Sequence, residues 1–300
     1  MTKSSRKLFW LVVLIGTLTR GVVAYKFQTR AWIDEIWVVL DPAYRMLTGV
    51  GPVERDWVWQ VRDHVPQVLA FLWLKTLSVI GITDGPTVLA SVRVGTALAT
   101  AAAFAYFADG LSKVFNVVKY SWIIALTLFF IPELIHYSAT SDLSVIGTPF
   151  LLFGLILLER DRKSVLGGLL MSFSSLIRFQ FGIFPAVFLF GMLWRKEWKN
   201  AIQLALIGTT VLFFDFAFNS WMYGNAVLPM LNYFTVNTTG GVASSYGVTP
   251  FYFAFELLWR HTTEIIFICV ALTPIIAIQK APALSLGAVF FFILHAIVPH

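Results

Sequence analysis

The feature that most constrains the fold is a series of apolar stretches, each about as long as a helix that crosses a lipid bilayer. Such a helix needs about 20 mainly apolar residues to cross a hydrocarbon core roughly 30 Å thick. The 300 residues are 58% apolar and 13% charged, which is more apolar surface than a soluble core of this length can bury. The stretches lack the alternation of barrel strands, so the sequence predicts an all-α polytopic membrane protein.

The apolar stretches follow one another along the whole chain. They lie at about residues 8–25, 66–82, 87–109, 120–137, 145–158, 164–176, 179–194, 201–218, 264–278 and 284–298. The sequence contains no internal repeat, glycine-rich phosphate loop or low-complexity linker. It therefore predicts a single transmembrane domain over residues 1–300, with external loops at about 26–86 and 219–261. The basic start also fits a signal peptide, but the many later stretches favour an uncleaved first helix.

Charge distribution predicts the orientation in the membrane. Basic clusters between the apolar stretches are Lys113/Lys119, Arg160/Arg162/Lys163, Arg195/Lys196/Lys199 and Lys280. All become cytoplasmic, as the positive-inside rule requires, if one earlier stretch does not cross. Pro66 to Ile82 is the candidate, because it begins with proline and carries Lys75 at its centre, so we expect an interfacial or re-entrant helix. The other face then collects Asp34, Glu35, Arg62, Asp142, Arg178, Asp215 and His300.

Several classes of function are excluded by composition. The net charge is +6, but the cations follow the membrane pattern, so no nucleic-acid partner is expected. Cys269 is the single cysteine, which excludes a disulfide framework. His295 and His300 point to different faces of a helix, so the sequence predicts no metal site and no cofactor.

An acidic pair, Asp34-Glu35, directly follows the first apolar stretch and is flanked by tryptophan and isoleucine. A carboxylate at an apolar boundary has a raised proton affinity and can act as a general base on a hydroxyl group. The alternative is an ordinary loop carboxylate paired with Arg30 or Arg62. The residues alone leave both interpretations open.

A second segment, from Asp56 to Pro66, combines aromatic and charged side chains. Trp57 and Trp59 fit either an aromatic belt or a surface that stacks on sugar or lipid. Arg62 suits a phosphate, which a guanidinium binds through two parallel hydrogen bonds.

A lone cation, Arg178, lies in an otherwise apolar stretch and needs an anionic partner. That partner is Asp142, Asp215 or a lipid phosphate, and the sequence does not choose among them.

Taken in order, these segments resemble glycosyltransferase family 22, the polytopic mannosyltransferases that act on GPI anchors and lipid-linked oligosaccharides. Trp32-Ile33-Asp34-Glu35 is similar to the family's His-Pro-Asp-Glu motif, although tryptophan and isoleucine replace its first two residues. The later matches are Trp57-Val58-Trp59 with Arg62 and Pro66, Arg178-Phe179-Gln180, Tyr223-Gly224 with Pro229 and Asn232-Tyr233-Phe234, Asn237 with Ser245-Tyr246-Gly247 and Pro250, and His295 with Pro299-His300. The last match covers only the start of the family's final motif, so we expect a shortened or truncated chain.

The resemblance implies a GT-C-type transmembrane helical domain with a large first external loop. It implies transfer of mannose, or another hexose, from a polyprenyl- or dolichyl-phosphate donor to a glycolipid or glycan acceptor, with inversion and without a metal. Asp34 would be the general base and Glu35 its neighbour or alternate. The substrate-binding residues would be Trp57, Trp59, Arg62, Asp142, Arg178, Gln180, Tyr246 and His300.

The same resemblance places the protein in a bacterial inner membrane or the endoplasmic reticulum membrane, among membrane lipids, with its active site on the non-cytoplasmic side. Two other functions fit the composition. One is a transporter or flippase of a lipid-linked or small polar substrate, in which buried charges line a pathway. The other is a non-catalytic glycolipid-binding membrane protein.

Overall fold

The computed structural model describes residues 3–26, 35–53, 55–161, 163–240 and 277–297, together with positions 242 and 256. The described elements are helices, and no β-strand occurs among them. In chain order they are α1 (Lys3–Lys26), α2 (Asp41–Thr48), α3 (Arg55–Val58), α4 (Val65–Val79), α5 (Gly85–Val114), α6 (Ser121–Phe130), α7 (Pro132–Ser138), α8 (Leu143–Glu159), α9 (Ser164–Ile177), α10 (Ile183–Trp194), α11 (Trp198–Tyr223), α12 (Pro229–Phe234) and α13 (Pro282–Ile297). Short π-helical segments cover Glu35–Leu40 and Thr235–Thr239, and 3-10 turns cover Val118–Tyr120 and Phe179–Gly182.

Three of these helices, α1, α5 and α11, are each long and apolar enough to cross a membrane. The predicted stretch 120–137 is one apolar run in sequence but two helices, α6 and α7, bent by 64°. The helices α4, α8, α9, α10 and α13 are apolar and shorter. The predicted fold class, an all-α polytopic membrane domain, is confirmed.

The long helices pack through small side chains. Helix α1 runs antiparallel to α5, since Phe9 shares an apolar cluster with Ala101 to Ala108 of α5, while Ala24 shares another with the earlier residue Ala97. Helices α8 and α9 approach closely at paired glycines, where a Cβ added to Gly154 would lie 2.9 Å from the carbonyl oxygen of Gly167. Close backbone approach of this kind is the usual source of helix association in lipid, where water does not drive apolar surfaces together.

The bend between α6 and α7 is stabilised by a buried arginine from α1. Pro132 has no amide hydrogen, so the carbonyl of Leu128 loses the donor that a continuous helix would supply. Arg20 replaces it, donating from Nη2 to Leu128 O at 2.7 Å and from Nη1 to Phe129 O at 2.6 Å. Its guanidinium also lies 5.1 Å from the ring centre of Phe104, which favours the cation in an apolar surrounding.

Residues from three of the predicted basic clusters, Lys113, Arg160 and Lys280, lie at one end of the bundle. Asp109 of α5 accepts hydrogen bonds from Lys113 at 2.5 Å and from Arg160, at the end of α8, at 3.4 Å. Lys280 Nζ donates to Phe115 O at 3.3 Å. This arrangement agrees with the orientation predicted from charge. Which face of the membrane this end occupies stays a prediction.

Helix α4 corresponds to the stretch predicted not to cross. It has 15 residues, which is shorter than a typical span, as are α9 and α10. Its Trp73 donates to Ser91 Oγ at 3.1 Å, near the start of α5 and far along that helix from the basic end. Helix α4 therefore stays at one end of the bundle, opposite the basic clusters, and its interfacial or re-entrant placement stays a prediction.

The two regions predicted to be external loops contain several helices, and their external position stays a prediction. The first loop region, 26–86, contains α2, α3 and α4. The second was expected to begin at Asn219, but α11 continues to Tyr223 and ends at Gly224, whose φ of +74° suits glycine. In the remainder of that loop, residues 225–240 are described and contain α12 and the π-helical segment Thr235–Thr239.

Candidate functional site

A cavity of about 590 Å³ opens at the end of the bundle opposite the basic clusters. Its walls come from the loop before α4, the start of α4, the connection between α9 and α10, one face of α11 and helix α12. The polar residues at one end are Arg62, Asp63, Gln67, Arg178, Gln180 and Asp215. The cavity then follows α11 from Asp215 to Leu204, a distance of about 16 Å at 1.5 Å per residue.

Beyond its polar end the cavity is lined mainly by apolar side chains. They include Leu176 of α9, Leu189 of α10 and Leu212 of α11. The cavity thus joins a charged end to an apolar channel within the helices. Its chemistry suits an amphipathic ligand with a charged head and a hydrocarbon chain.

The loop that carries Arg62 and Asp63 is held against α11. The Tyr223 hydroxyl donates to Arg62 O at 2.7 Å. The backbone amide of His64 donates to Asn219 Oδ1 at 3.1 Å, and His64 Nδ1 lies 2.8 Å from the same oxygen. Trp57 packs edge-on against the rings of His64 and Tyr223, with centroids 4.6 and 5.9 Å away.

Two predicted phosphate-binding residues, Arg62 and Arg178, both line the polar end. Arg62 Nε donates to Asp56 Oδ2 at 2.6 Å, and its guanidinium lies 5.7 Å from the ring centre of Tyr233. Arg178 follows the last residue of α9 in an extended conformation, with φ −138° and ψ 100°. Gln180, the third predicted residue in this group, is buried in the 3-10 turn beside it.

Two carboxyl groups share the polar end with these arginines. Asp63 and Asp215 lie close enough to interact, and two adjacent carboxyl groups favour a form in which one of them keeps a proton. Burial, the hydrogen bond to Asp215 and the charge of Asp215 together raise the pKa of Asp63 well above its ordinary value. Asp215 is predicted from the sequence to lie on this face, whereas Asp63 is not among the predicted site residues. Two sequence signals could have indicated this pair: Asp215 is an acidic residue inside an apolar span, and Asp63 directly follows Arg62.

Glu35 lies in a buried ion pair away from solvent. The Glu35 carboxylate is 0% exposed and the Arg93 side chain of α5 is 1% exposed. Arg93 Nε donates to Glu35 Oε1 at 2.8 Å, and Arg93 Nη2 contacts Glu35 Oε2. Ser141 adds donations to Oε1 from its amide at 2.9 Å and from its hydroxyl at 2.6 Å. Glu35 is the first described residue after α1. These contacts hold it against helix α5 and against the turn before α8.

The other predicted site residues have separate positions. Asp142 caps the start of α8, accepting from the amides of Ser144 at 2.7 Å and Val145 at 3.2 Å, and is not among the residues that line the cavity. Trp57 and Trp59 are partly buried and also lie outside its lining. Three of the predicted residues lie outside the described part of the chain, namely Asp34, Tyr246 and His300. The described residues contain no group of three or more His, Cys, Asp or Glu side chains that could hold a metal ion.

Comparison with known proteins identifies a family and a curated relative that are similar to this chain. The model of the Alg9-like mannosyltransferase family matches residues 9–300. GPI mannosyltransferase 3 of Yarrowia lipolytica is 24% identical over 262 residues, which cover 83% of this chain and 50% of that protein. The chain therefore spans about half the length of the curated relative that it matches. No solved structure matches the chain.

Proposed function

Since the chain belongs to the Alg9-like mannosyltransferase family, we propose that it transfers mannose, or another hexose, from a polyprenyl- or dolichyl-phosphate donor. The acceptor is a glycolipid or glycan on the non-cytoplasmic side of the membrane. The observation that carries the proposal is the amphipathic cavity, whose charged end contains Arg62 and Arg178 and whose other end is an apolar channel. A lipid-linked phosphate has this same division between an anionic head and a hydrocarbon chain.

The arginines would bind the phosphate and stabilise it as it leaves. Guanidinium groups form paired hydrogen bonds with phosphate oxygens, and their charge is most effective at the membrane boundary, where water is limited. The raised pKa of Asp63 beside Asp215 favours a protonated carboxyl group, so the pair neutralises the two cations less than two separate carboxylates would. The polar end is therefore suited to an anionic group.

The reaction would be a single displacement at the sugar's anomeric carbon. Asp34 takes the proton from an acceptor hydroxyl, the hydroxyl oxygen forms a bond to the anomeric carbon, and the bond to the phosphate oxygen breaks. The lipid phosphate leaves with the electron pair and is held by Arg62 and Arg178. One displacement from the opposite face inverts the configuration and needs no covalent intermediate with the protein.

Glu35 would position Asp34 rather than replace it. Both of its oxygens accept hydrogen bonds from Arg93 or Ser141, and its side chain is 0% exposed. An acceptor hydroxyl cannot reach a carboxylate in that position without breaking the ion pair. Asp34, the residue before Glu35 in the chain, is the better candidate for the base.

The direct test is transfer of labelled mannose from polyprenyl-phosphate-mannose to a lipid extract by the purified protein in detergent. Asp34→Asn keeps the size of the side chain but cannot accept the proton, so turnover should fall about 10²- to 10⁴-fold. Donor binding should change little. Substrate uptake into liposomes without any transfer would instead identify a transporter, and binding without uptake or transfer would identify a glycolipid-binding protein.

A further inference from the structure

The Asp63–Asp215 pair at the polar end of the cavity is held in place from several sides. Asp63 Oδ1 accepts from the Val65 amide at 2.8 Å. Asp215 Oδ1 accepts from Asn219 Nδ2 at 2.8 Å. Asn219 is itself fully buried and accepts from the amide of His64. The two carboxyl groups are therefore fixed before any ligand arrives, which lowers the entropy that a ligand loses on binding them.

Two glutamines lining the same cavity carry side-chain oxygens that lack a donor. Gln67 is 1% exposed, and its Nε2 donates to Val38 O at 3.0 Å. Its Oε1 has no hydrogen-bond partner in the described part of the chain, and neither does the Oε1 of Gln180, which is 8% exposed. A buried acceptor without a donor is costly, so such atoms usually mark a place where a ligand or water supplies one.

The chemistry of these four residues selects the kind of group that binds there. Amide and carboxylate oxygens accept hydrogen bonds, and a phosphate ester brings acceptors only. Hydroxyl groups bring donors, which these carboxylate and amide oxygens can accept. A polyhydroxylated ligand fits this surface better than a second anion or an apolar group does.

We propose that Asp63, Asp215, Gln67 and Gln180 form the subsite that binds the hydroxyl groups of the donor sugar. The inference rests on the proposed function, because it takes Arg62 and Arg178 as the phosphate-binding residues. In a phosphate-linked hexose a single oxygen joins the sugar to the phosphate, so the two binding sites must be adjacent. Asp63 follows Arg62 in the chain, and all six residues line one end of one cavity.

The test compares two ligands that differ only in the sugar. Binding of labelled polyprenyl phosphate and of polyprenyl-phosphate-mannose is measured with the purified protein and with Asp63→Asn, Asp215→Asn and Gln67→Met. Each aspartate variant should weaken binding of the mannose-bearing lipid about 10- to 100-fold, the usual effect of losing a hydrogen bond to a charged group. Binding of the sugar-free lipid should stay the same, since the remaining carboxylate keeps the single negative charge that the protonated pair carried. Arg178→Lys is the matched control and should weaken both ligands.

The outcomes separate this inference from the proposed function. If the unchanged protein binds neither lipid, the proposed function fails and the sugar subsite fails with it. If it binds both lipids equally, or if the aspartate variants weaken both to the same degree, only the sugar subsite is overturned. Unchanged donor binding with a raised KM for the acceptor would assign these residues to the acceptor and also overturn it. Gln67→Met is nearly isosteric, so it still tests the subsite if an aspartate variant does not fold, as judged by thermal melting.

Discussion

Replacing Glu35 with glutamine should destabilise the protein because it leaves the Arg93 guanidinium charged in a buried position. The two side chains are 0% and 1% exposed, so water cannot compensate for the lost carboxylate. The new amide also turns a hydrogen-bond donor toward a cation that has only donors. Removal of one member of such a pair costs about 3–5 kcal/mol.

Thermal melting in detergent measures the effect, which should appear as an apparent Tm lowered by roughly 5–15 °C. The control is the double variant Glu35→Leu/Arg93→Met, which removes both charges and keeps the volume. Exchange of a buried ion pair for apolar side chains is often close to neutral. About 1–3 kcal/mol of loss should remain, because the buried Ser141 amide loses its acceptor.

Transfer activity of the same variants distinguishes a positioning role from a catalytic one. If Glu35 holds Asp34 in place, the double variant should regain part of the activity that Glu35→Gln loses, together with its stability. If Glu35 is the base, the double variant will be folded and inactive. An unchanged Tm for Glu35→Gln would refute the argument that this ion pair holds the segment after α1.

Three further results are expected. Arg20→Met should lower stability by about 1–3 kcal/mol in a detergent melting assay, because the carbonyls at the α6–α7 bend lose their donors; a loss below the error of the assay would contradict the role given to Arg20. Gly154→Ala should lower the apparent Tm, since its Cβ meets backbone of α9, whereas Gly21→Ala meets nothing within 4 Å and should be neutral or stabilising. As pH rises from about 4 toward neutral, the wild type should lose stability relative to Asp63→Asn. The raised pKa of Asp63 means that the folded protein keeps a proton that the unfolded chain releases, so parallel pH profiles would argue against it.

Most of the helices could be predicted from the apolar stretches, because lipid requires each stretch to satisfy its own backbone. The bend at Pro132 is the instructive exception. Proline inside a predicted span indicates a break, but the angle depends on what occupies the freed carbonyls. Here Arg20, more than a hundred positions earlier, supplies those donors. Arg20 lies within the first apolar stretch, and sequence alone does not show which carbonyls it reaches.

The family motif contains Glu35 beside the candidate base but could not show what its carboxylate contacts. The pair Asp34-Glu35 looks symmetrical in sequence, with two carboxylates among aromatic and aliphatic neighbours. The ion pair with Arg93 distinguishes the two residues, and Arg93 lies in α5 within a stretch of alanine and valine. A charge in such a stretch indicates that a buried partner exists. It does not identify the partner.

The Asp63–Asp215 pair was also not predicted, because a charge in an apolar span does not identify its partner. Asp215 was recognised as a charge in an apolar span, and the natural partner for it was a cation such as Arg178. The structure instead places a second carboxyl group beside it, an arrangement that charge complementarity alone would reject. It becomes stable once the pair holds a proton and Asn219 and the Val65 amide supply donors. Sequence rules that pair opposite charges therefore overlook sites where two acids lie side by side and one keeps a proton.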